Sequence, residues 1–273
     1  MVADDASPDL ENIVLVGMLL GALEGFTEFL PVSSTGHLIL AVDLLRLDMP
    51  PGRVFEVAIQ SGAILAVLVL FFSKFRLVAS GLGRDPASRA FLRNILLTSI
   101  PAGVLGVAFH ETILSVLFDP RVVAVALVAG GIVMLVAERI QTVVRFREVE
   151  EISPGAALAI GGAQCLALIP GMSRSAATII GGLLVGVERR TAAEFSFFAA
   201  LPVLLGAAAI QIGKNAGDLA LQDGLLLGLG TLTAFVFATV AIKFLLAVVA
   251  RVGFGPFAIY RIALGSVILI VLA

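Results

Sequence analysis

Six long apolar runs dominate this chain and decide the solvent in which it folds. Each approaches the roughly 20 residues that an α-helix needs to cross a bilayer. Hydrophobic residues make up 59% of the 273 residues and charged residues only 14%, with a mean hydropathy of +1.09, so a water-soluble globule could not cover itself. The sequence therefore predicts an all-α polytopic membrane protein in which residues 1–273 form a single membrane domain. The runs are Val54–Ser73, Ile95–Leu117, Val122–Ala137, Ala192–Gly213, Gly224–Ala250 and Pro256–Ala273.

Two further apolar regions are each divided by a polar break into pieces too short to span a bilayer. The first break is Pro31–Ser33 and the second break is Pro170–Ser173. Such backbone survives at membrane depth where it is buried or lines a wet cavity. We therefore expect about six transmembrane helices plus two re-entrant helical hairpins. The short pieces are Ile13–Leu23 and Leu38–Leu45 around the first break, and Ala156–Ile169 and Ala176–Val187 around the second.

The order of elements repeats along the chain: a hairpin followed by three spans, once in residues 10–138 and again in residues 152–273. The segment Gly21–Glu24 also aligns with Gly161–Gln164. Because each repeat has an odd number of spans, the second copy enters the membrane from the opposite face. The sequence thus predicts an inverted-topology repeat in which the tips of the two hairpins meet near the middle of the bilayer.

The basic residues indicate how the chain is oriented. The connection Lys74–Arg93 is rich in Lys and Arg, and Arg139, Arg145 and Arg147 fall on the same side. The positive-inside rule makes that side cytoplasmic, so both termini and the active site are expected to face outward from a bacterial plasma (inner) membrane. The first residues are acidic and no basic residue precedes Arg46, so we expect no cleaved signal peptide.

Charge and ligand counts exclude several classes of protein. A net charge of −2 without a basic stripe gives no support to nucleic-acid binding. The only cysteine is Cys165 and the only histidines are His37 and His110. These counts exclude a disulfide framework within the chain, a thiolate metal cluster and a histidine-rich metal centre.

Two acidic residues lie in the middle of an apolar region. Glu24 and Glu28 are four residues apart, so they share one face of a helix. Each carboxylate at bilayer depth costs about 2.5–3.5 kcal/mol, and no structural role requires two of them. One alternative is a protonated or interfacial pair used for helix packing. The functional interpretation is an acid/base pair or an oxygen-rich site for a hard cation such as Mg²⁺ or Ca²⁺.

The first break adds hydroxyl groups and an imidazole to these acids. Ser33, Ser34 and Thr35 precede His37 at the start of a short helix, whose free N–H groups favour anions. Taken singly, a serine or threonine here fits ordinary helix capping. A hydroxyl group or a water beside an imidazole and a metal also makes a phosphoryl-transfer centre, and we interpret His37 as functional.

An arginine between two serines stands at the end of the second break. Arg174 has no carboxylate in its own segment, and its rigid fork matches phosphate geometry. Ser173 and Ser175 flank it at the start of another half-helix, whose dipole favours an anion. The alternative is an arginine that pairs with Glu24 or Glu28 across the hairpin tips, which need not exclude phosphate binding.

Acids that hold a metal and an arginine that holds a polyanion together predict diphosphate chemistry. Because the site lies among the spans, the expected substrate is a lipid diphosphate whose tail stays among the membrane lipids. The rival hypothesis is a transporter or flippase of a polyprenyl phosphate, since opposed hairpins in inverted repeats are a transporter architecture. An ion channel is disfavoured because arginine and carboxylates together give no selectivity for one sign of charge.

Both breaks resemble the two signatures of the undecaprenyl-diphosphate phosphatase family of the bacitracin-resistance type. The matching segments, which spread over nearly the whole chain, are Glu24–His37, Phe55–Val57, Pro170–Thr178 and Phe257–Arg261. The resemblance implies an integral membrane enzyme of bacteria that removes the terminal phosphate of undecaprenyl diphosphate. Its product is the monophosphate carrier that cell-wall synthesis reuses.

The resemblance also implies roles for individual residues. Glu24 and Glu28 would hold a divalent cation, Mg²⁺ or Ca²⁺, and Arg174 would clamp the phosphate. Three mechanisms stay open: a nucleophilic Ser34, a nucleophilic His37, or direct attack by water, with Ser34 preferred and His37 then free to act as general acid or base. The oligomeric state is left open, a homodimer included. The residues expected to bind substrate are Ser33, Thr35, Ser173, Ser175 and Thr178.

Overall fold

The described part of the chain is a bundle of α-helices. The computed structural model describes residues 10–45, 47, 54–109, 113, 117, 119–140, 143–215 and 223–272. Within those ranges there is no β-strand, only an isolated bridge between Phe146 and Val187, so the predicted all-α class is confirmed. The helices are α1 (Leu10–Glu28), α2 (Ser34–Leu45), α3 (Val54–Leu70), α4 (Phe72–Gly81), α5 (Pro86–Ala108), α6 (Pro120–Ile140), α7 (Pro154–Gln164), α8 (Arg174–Val185), α9 (Arg189–Asn215), α10 (Asp223–Val252) and α11 (Gly255–Val271).

Four of these helices, α5, α6, α9 and α10, are long and apolar enough to cross a membrane. Helices α3 and α4 make a fifth span if they are taken together, although they are bent by 70° within the predicted run Val54–Ser73. The last predicted span is α11, which has 17 residues. The prediction of a multi-pass membrane protein is confirmed, whereas re-entry of the two hairpins stays a prediction. The acidic residues 1–9, Arg46 and His110 lie outside the described residues.

A capping residue sets where α5 begins. The Asp85 carboxylate accepts hydrogen bonds from the backbone N–H groups of Ala87 and Ser88, at 3.1 and 2.9 Å. Pro86 follows as the first helical residue, where its missing N–H group costs nothing. The helix therefore starts upstream of Ile95, at which the predicted apolar run begins.

Both breaks end at a serine in the left-handed region of backbone space. The φ angle is +74° at Ser33 and +68° at Ser173, a conformation that costs a residue other than glycine about 1–3 kcal/mol. Each serine also caps the helix that follows. The hydroxyl oxygen of Ser33 accepts from the N–H group of Gly36 at 3.3 Å, and that of Ser173 accepts from Ala176 at 3.2 Å. The predicted repeat aligns these two serines with each other, and their shared conformation is what such a repeat would produce.

Glycines allow α1 and α7 to pack closely on helices from the opposite half of the chain. Helix α1 packs on α10, where a Cβ atom at Gly21 would come within 2.3 Å of the Gly230 carbonyl oxygen. Helix α7 packs on α5, where a Cβ atom at Gly161 would come within 2.7 Å of the Thr98 carbonyl oxygen. Small residues permit such backbone approach between membrane helices. Helix α1 has 19 residues, so the predicted short piece Ile13–Leu23 is part of a longer helix. Helices α1 and α7 are each packed on a helix from the other half of the chain.

Candidate active site

The ends of the two breaks touch each other inside the bundle. Just after the second break, the Ser175 hydroxyl donates to the carbonyl oxygen of Leu30, just before the first, at 2.9 Å. The fully buried guanidinium of Arg261, in α11, donates to the carbonyl oxygens of Pro31 at 3.3 Å and Met172 at 2.9 Å. Arg261 thus ties one break to the other and supplies partners to carbonyl groups that no regular helix satisfies.

A buried ion pair joins Glu28, just before the first break, to Arg174, just after the second. Arg174 Nη2 donates to Glu28 Oε1 at 2.9 Å, and its Nη1 donates to the Ser196 carbonyl oxygen at 2.7 Å. The hydroxyl of Ser34 donates to the other oxygen of Glu28, at 2.5 Å. The guanidinium lies 5.7 Å from the centre of the Phe29 ring, and its Nε atom is buried without a hydrogen-bond partner. Glu28 therefore connects a cation to a hydroxyl group, and Arg174 keeps one donor unused.

These groups face a cavity of about 180 Å³. A single water needs only about 10–15 Å³ measured in this way, so the cavity has room for several waters or a small polyanion. Ala102, Val203 and Leu204 supply part of its apolar wall. Six of the residues predicted from the sequence line the cavity: Glu28, Ser33, Ser34, Thr35, Ser173 and Arg174.

Glu24 does not line this cavity. Its side chain is buried, 2% exposed, on the same helix as Glu28, and its electrostatic neighbours are Glu28, Glu56 and Arg174. One carboxyl oxygen of Glu56 is buried without a hydrogen-bond partner. The acidic group is thus larger than the predicted pair, with Glu28 as its member in the cavity wall.

His37 also lies outside the cavity wall. Its Nδ1 atom is 2.7 Å from the Ser33 carbonyl oxygen and its Nε2 atom is 2.6 Å from the Tyr260 hydroxyl, whose ring stacks on the imidazole. Because a carbonyl oxygen can only accept, Nδ1 carries the proton, and a neutral ring then accepts from Tyr260 through Nε2. The structure therefore places His37 between the first break and α11.

The hydroxyl groups after the second break are used inside the protein. Ser175 and Thr178 are fully buried, and Thr178 donates to the carbonyl oxygen of Arg174 at 2.9 Å. The hydroxyl oxygens of Ser173 and Ser175 lie 3.0 Å apart. Of these three, only Ser173 lines the cavity. Substrate binding by Ser175 and Thr178 stays a prediction.

Sequence reasoning did not assign a role to three residues that shape the site. Arg261 lies within an apolar run, which is itself a signal because an ionisable residue at membrane depth needs a partner. It also donates to the carbonyl oxygen of Gly171, at 3.1 Å. Gln60 and Gln164 line the cavity. Gln164 aligns with Glu24 in the predicted repeat, but no such signal marks Gln60.

The wall of the cavity contains oxygen atoms of the kind that hold a divalent cation. Among the described residues, no three His, Cys, Asp or Glu side chains converge into a metal site of their own. Mg²⁺ is commonly held by one or two carboxylates, while waters and substrate phosphates fill its other positions. Glu24 and Glu28 interact with each other and supply such carboxylates. The donor set therefore suits a hard cation that binds together with a phosphate.

Comparison with known proteins identifies the family. The family model of bacitracin resistance protein BacA matches residues 17–267, which include both breaks and Arg261. The chain belongs to the BacA family. A protein of Sphingopyxis alaskensis is 50% identical over 266 residues, or 97% of this chain and 98% of that protein. One of Parvibaculum lavamentivorans is 48% identical over 256 residues, or 94% of this chain and 96% of that protein.

Both relatives are named undecaprenyl-diphosphatase. A protein of Paramagnetospirillum magneticum, 45% identical over 259 residues that cover 95% of this chain and 99% of its own, is named undecaprenyl-diphosphatase 2. The family membership expected from the two signatures is confirmed.

Proposed function

We propose that the chain is a membrane phosphatase that hydrolyses undecaprenyl diphosphate to undecaprenyl phosphate and inorganic phosphate. The observation that carries this proposal is the buried contact of Glu28 with both Arg174 and Ser34, at 2.9 and 2.5 Å, in the wall of one cavity. The proposed base Glu28 is thereby in contact with the proposed nucleophile Ser34 and with Arg174, the proposed phosphate-binding group. The names of the relatives support the same activity and substrate.

Arg174 and the starts of two helices bind the diphosphate in this proposal. The unused Nε atom of Arg174 is a donor for a phosphate oxygen. Helices α2 and α8 begin directly after the breaks, and their N-terminal ends favour negative charge. Thr35 adds an exposed hydroxyl in the cavity wall. The tail of the substrate stays among the membrane lipids.

Ser34 is the proposed nucleophile and Glu28 its base. The Ser34 oxygen attacks the terminal phosphorus, its proton passes to Glu28, and the bond from that phosphorus to the bridging oxygen breaks. Undecaprenyl phosphate then leaves with the electron pair on the bridging oxygen. Water cleaves the phosphoserine in a second step, in which Ser34 recovers its proton from Glu28 and one proton from water is released. A cation held by Glu24 and Glu28, Mg²⁺ or Ca²⁺, would supply neutralisation of the phosphate charge when bound.

The contacts of His37 favour a role in holding the first break. Its ring joins the Ser33 carbonyl to Tyr260, and it does not line the cavity. A nucleophilic His37 and a direct attack by water are the alternatives to Ser34. The orientation that we propose puts the cavity on the outward face of the membrane, as the positive-inside rule predicts.

Phosphate release from undecaprenyl diphosphate by the purified chain in detergent tests the function. The wild-type chain should release phosphate with Mg²⁺ or Ca²⁺, and the activity should disappear with a chelator. Ser34→Ala should lower kcat by about 10³-fold or more, in the range of a lost nucleophile. Ser61→Ala is the matched control, because the Ser61 hydroxyl bonds only to the Val57 carbonyl oxygen of its own helix, at 2.8 Å.

Two results would contradict the proposal. A wild-type chain that releases no phosphate with either cation is not this phosphatase. A Ser34→Ala variant that is as active as Ser61→Ala would exclude Ser34 as the nucleophile but leave the phosphatase function in place. A phosphohistidine trapped from that variant would identify His37 as the nucleophile.

A further inference from the structure

One buried polar atom in the cavity wall has no use in the chemistry described so far. Gln164, the last residue of α7, is 1% exposed and lines the same cavity as Glu28 and Arg174. Its Nε2 atom donates to the Thr98 carbonyl oxygen at 3.0 Å, whereas its Oε1 atom is buried without a hydrogen-bond partner. Because a carbonyl can only accept, the amide cannot flip without losing this bond. The Oε1 atom of Gln164 is therefore the atom of the amide that has no hydrogen-bond partner.

The local sequence maintains this orientation. A Cβ atom at Gly161 would lie 2.7 Å from the Thr98 oxygen and 3.0 Å from the Pro101 ring. Glycine at that position lets α7 approach α5, so that Gln164 reaches the Thr98 carbonyl.

A buried acceptor without a partner carries a free-energy penalty, about 1–3 kcal/mol, that a ligand can remove. An anionic phosphate oxygen cannot do so, because it is itself an acceptor. A water molecule or a cation can supply the missing partner, and glutamine carbonyl oxygens are ordinary ligands of hard divalent cations. The Nε atom of Arg174 is the complementary case, a buried donor suited to a phosphate oxygen. The two unused atoms of the wall thus match a phosphate accompanied by a cation.

We propose that the Oε1 atom of Gln164 is a neutral ligand of the divalent cation that accompanies the diphosphate. It acts together with the carboxylate of Glu28 in the same cavity wall, and the proposal rests on the proposed function. Gln164 aligns with Glu24 in the predicted repeat. A neutral oxygen on one side limits the negative charge that the phosphate must approach.

Mn²⁺ binding to the full-length chain in detergent, in the presence of methylenediphosphonate, tests this role without turnover. Electron paramagnetic resonance measures the free Mn²⁺ at each step of a titration. Gln164→Met removes the oxygen at nearly the same volume, and Mn²⁺ affinity should fall by about tenfold or more, since even outer partners of metal ligands contribute about 10–100-fold. Gln60→Met is the matched control in the same wall, because Gln60 has no unpaired buried amide atom.

Gln164→Glu is the second variant, because it keeps an oxygen at the site and adds a charge. Its Mn²⁺ affinity should exceed that of the wild type. Equal Mn²⁺ affinity in the wild type, Gln164→Met and Gln164→Glu would overturn the inference, as would an equal loss in Gln164→Met and Gln60→Met. If the wild type still hydrolyses undecaprenyl diphosphate in either case, the proposed function stands without this ligand. The opposite result is a wild type that releases no phosphate, together with a Gln164→Met variant that binds Mn²⁺ more weakly than the wild type. That result would support Gln164 as a ligand and contradict the proposed phosphatase function.

Discussion

The first and second breaks have the same backbone conformation at their last residue, but the side chains beside them differ in charge and in hydrogen-bonding role. Each ends at a left-handed serine that caps the next helix, Ser33 in one and Ser173 in the other. The next residue begins the following helix; it is Ser34, which carries a hydroxyl group, after the first break and Arg174, which carries a positive charge, after the second. The same backbone conformation thus presents the proposed nucleophile and its base from one side and the proposed phosphate-binding group from the other. Neither break contains the whole site.

Removing the carboxylate of Glu28, which lies just before the first break, should have the largest effect on activity. Glu28→Gln keeps the shape, but its amide presents one acceptor where the carboxylate accepts from Arg174 on one oxygen and from Ser34 on the other. It also abolishes the proposed base and one negative charge of the proposed cation site. We expect kcat to fall by about 10³-fold or more while the chain stays folded. Phosphate release and the thermal midpoint, measured together, check this. Near-normal activity would remove Glu28 from both roles.

Replacing Arg174, which follows the second break, should have the second-largest effect on activity. Arg174→Lys keeps the charge, but an ammonium group cannot reproduce the planar fork that reaches Glu28 and Ser196 together. We expect a loss of about 10²-fold in kcat/KM, because one oriented donor contributes on this order. If Arg174→Lys keeps most of its rate, the arginine has a structural role and the second break no longer complements the first.

The third test concerns the packing that brings the breaks together. Gly21→Ala places a methyl group within 2.3 Å of the Gly230 carbonyl oxygen, so α1 must move away from α10. We expect a destabilisation of about 1–3 kcal/mol and a loss of activity. Gly162→Ala is the matched control, because a Cβ atom there meets nothing within 4 Å. Equal thermal midpoints for the two variants would show that close packing of α1 is dispensable.

Replacing Ser33 and Ser173 by alanine or glycine tests whether the two breaks have equivalent backbone conformations. Ser33→Ala and Ser173→Ala should each cost about 0.5–2 kcal/mol, because the cap is lost and the left-handed strain remains. Ser33→Gly and Ser173→Gly should cost less, since glycine adopts a positive φ angle without strain. Thermal unfolding of the four variants checks the order. A reversed order at one serine would mean that the two breaks are not conformational equivalents.

The smallest effect is expected at a charged cap outside the spans. Hydrogen bonds from the hydroxyl and N–H groups of Ser88 and the N–H group of Ala87 hold the pKa of Asp85 below its ordinary value of 3.8. A lowered pKa in the folded state adds stability above pH 3.8, which is lost as the pH falls through the folded pKa. The thermal midpoints of the wild type and Asp85→Asn should differ at neutral pH and converge in acid. The difference caused by Ser33→Ala should not change with pH, because a serine cap carries no charge.

The class of fold and much of the site follow from sequence pattern. Apolar runs and interrupted short helices predict the membrane bundle, because insertion leaves few alternatives for the backbone. Intramembrane Glu28 and Arg174 are predictable for the same reason, since each charge needs a partner or a ligand. The sequence also indicates that Ser34 lies beside them, because it begins the helix after the first break.

The directions in which side chains leave the short helices are less predictable. Glu24 and Glu28 share a helix face, but only Glu28 reaches the cavity wall. His37 lies three residues after Ser34, yet its ring contacts Tyr260, because α11 packs beside the first break. Contacts of this kind depend on helices that are far away in the sequence. Arg261 is the clearest case, since its partners are backbone carbonyls that no residue pattern marks.

A structure of the full-length chain with bound methylenediphosphonate and Mn²⁺ tests most directly whether the two breaks share one ligand. One phosphate group is expected within hydrogen-bond distance of the Arg174 guanidinium, with its phosphorus in line with the Ser34 oxygen. An analogue that contacts only one break, or that binds outside the cavity between them, would contradict the shared site.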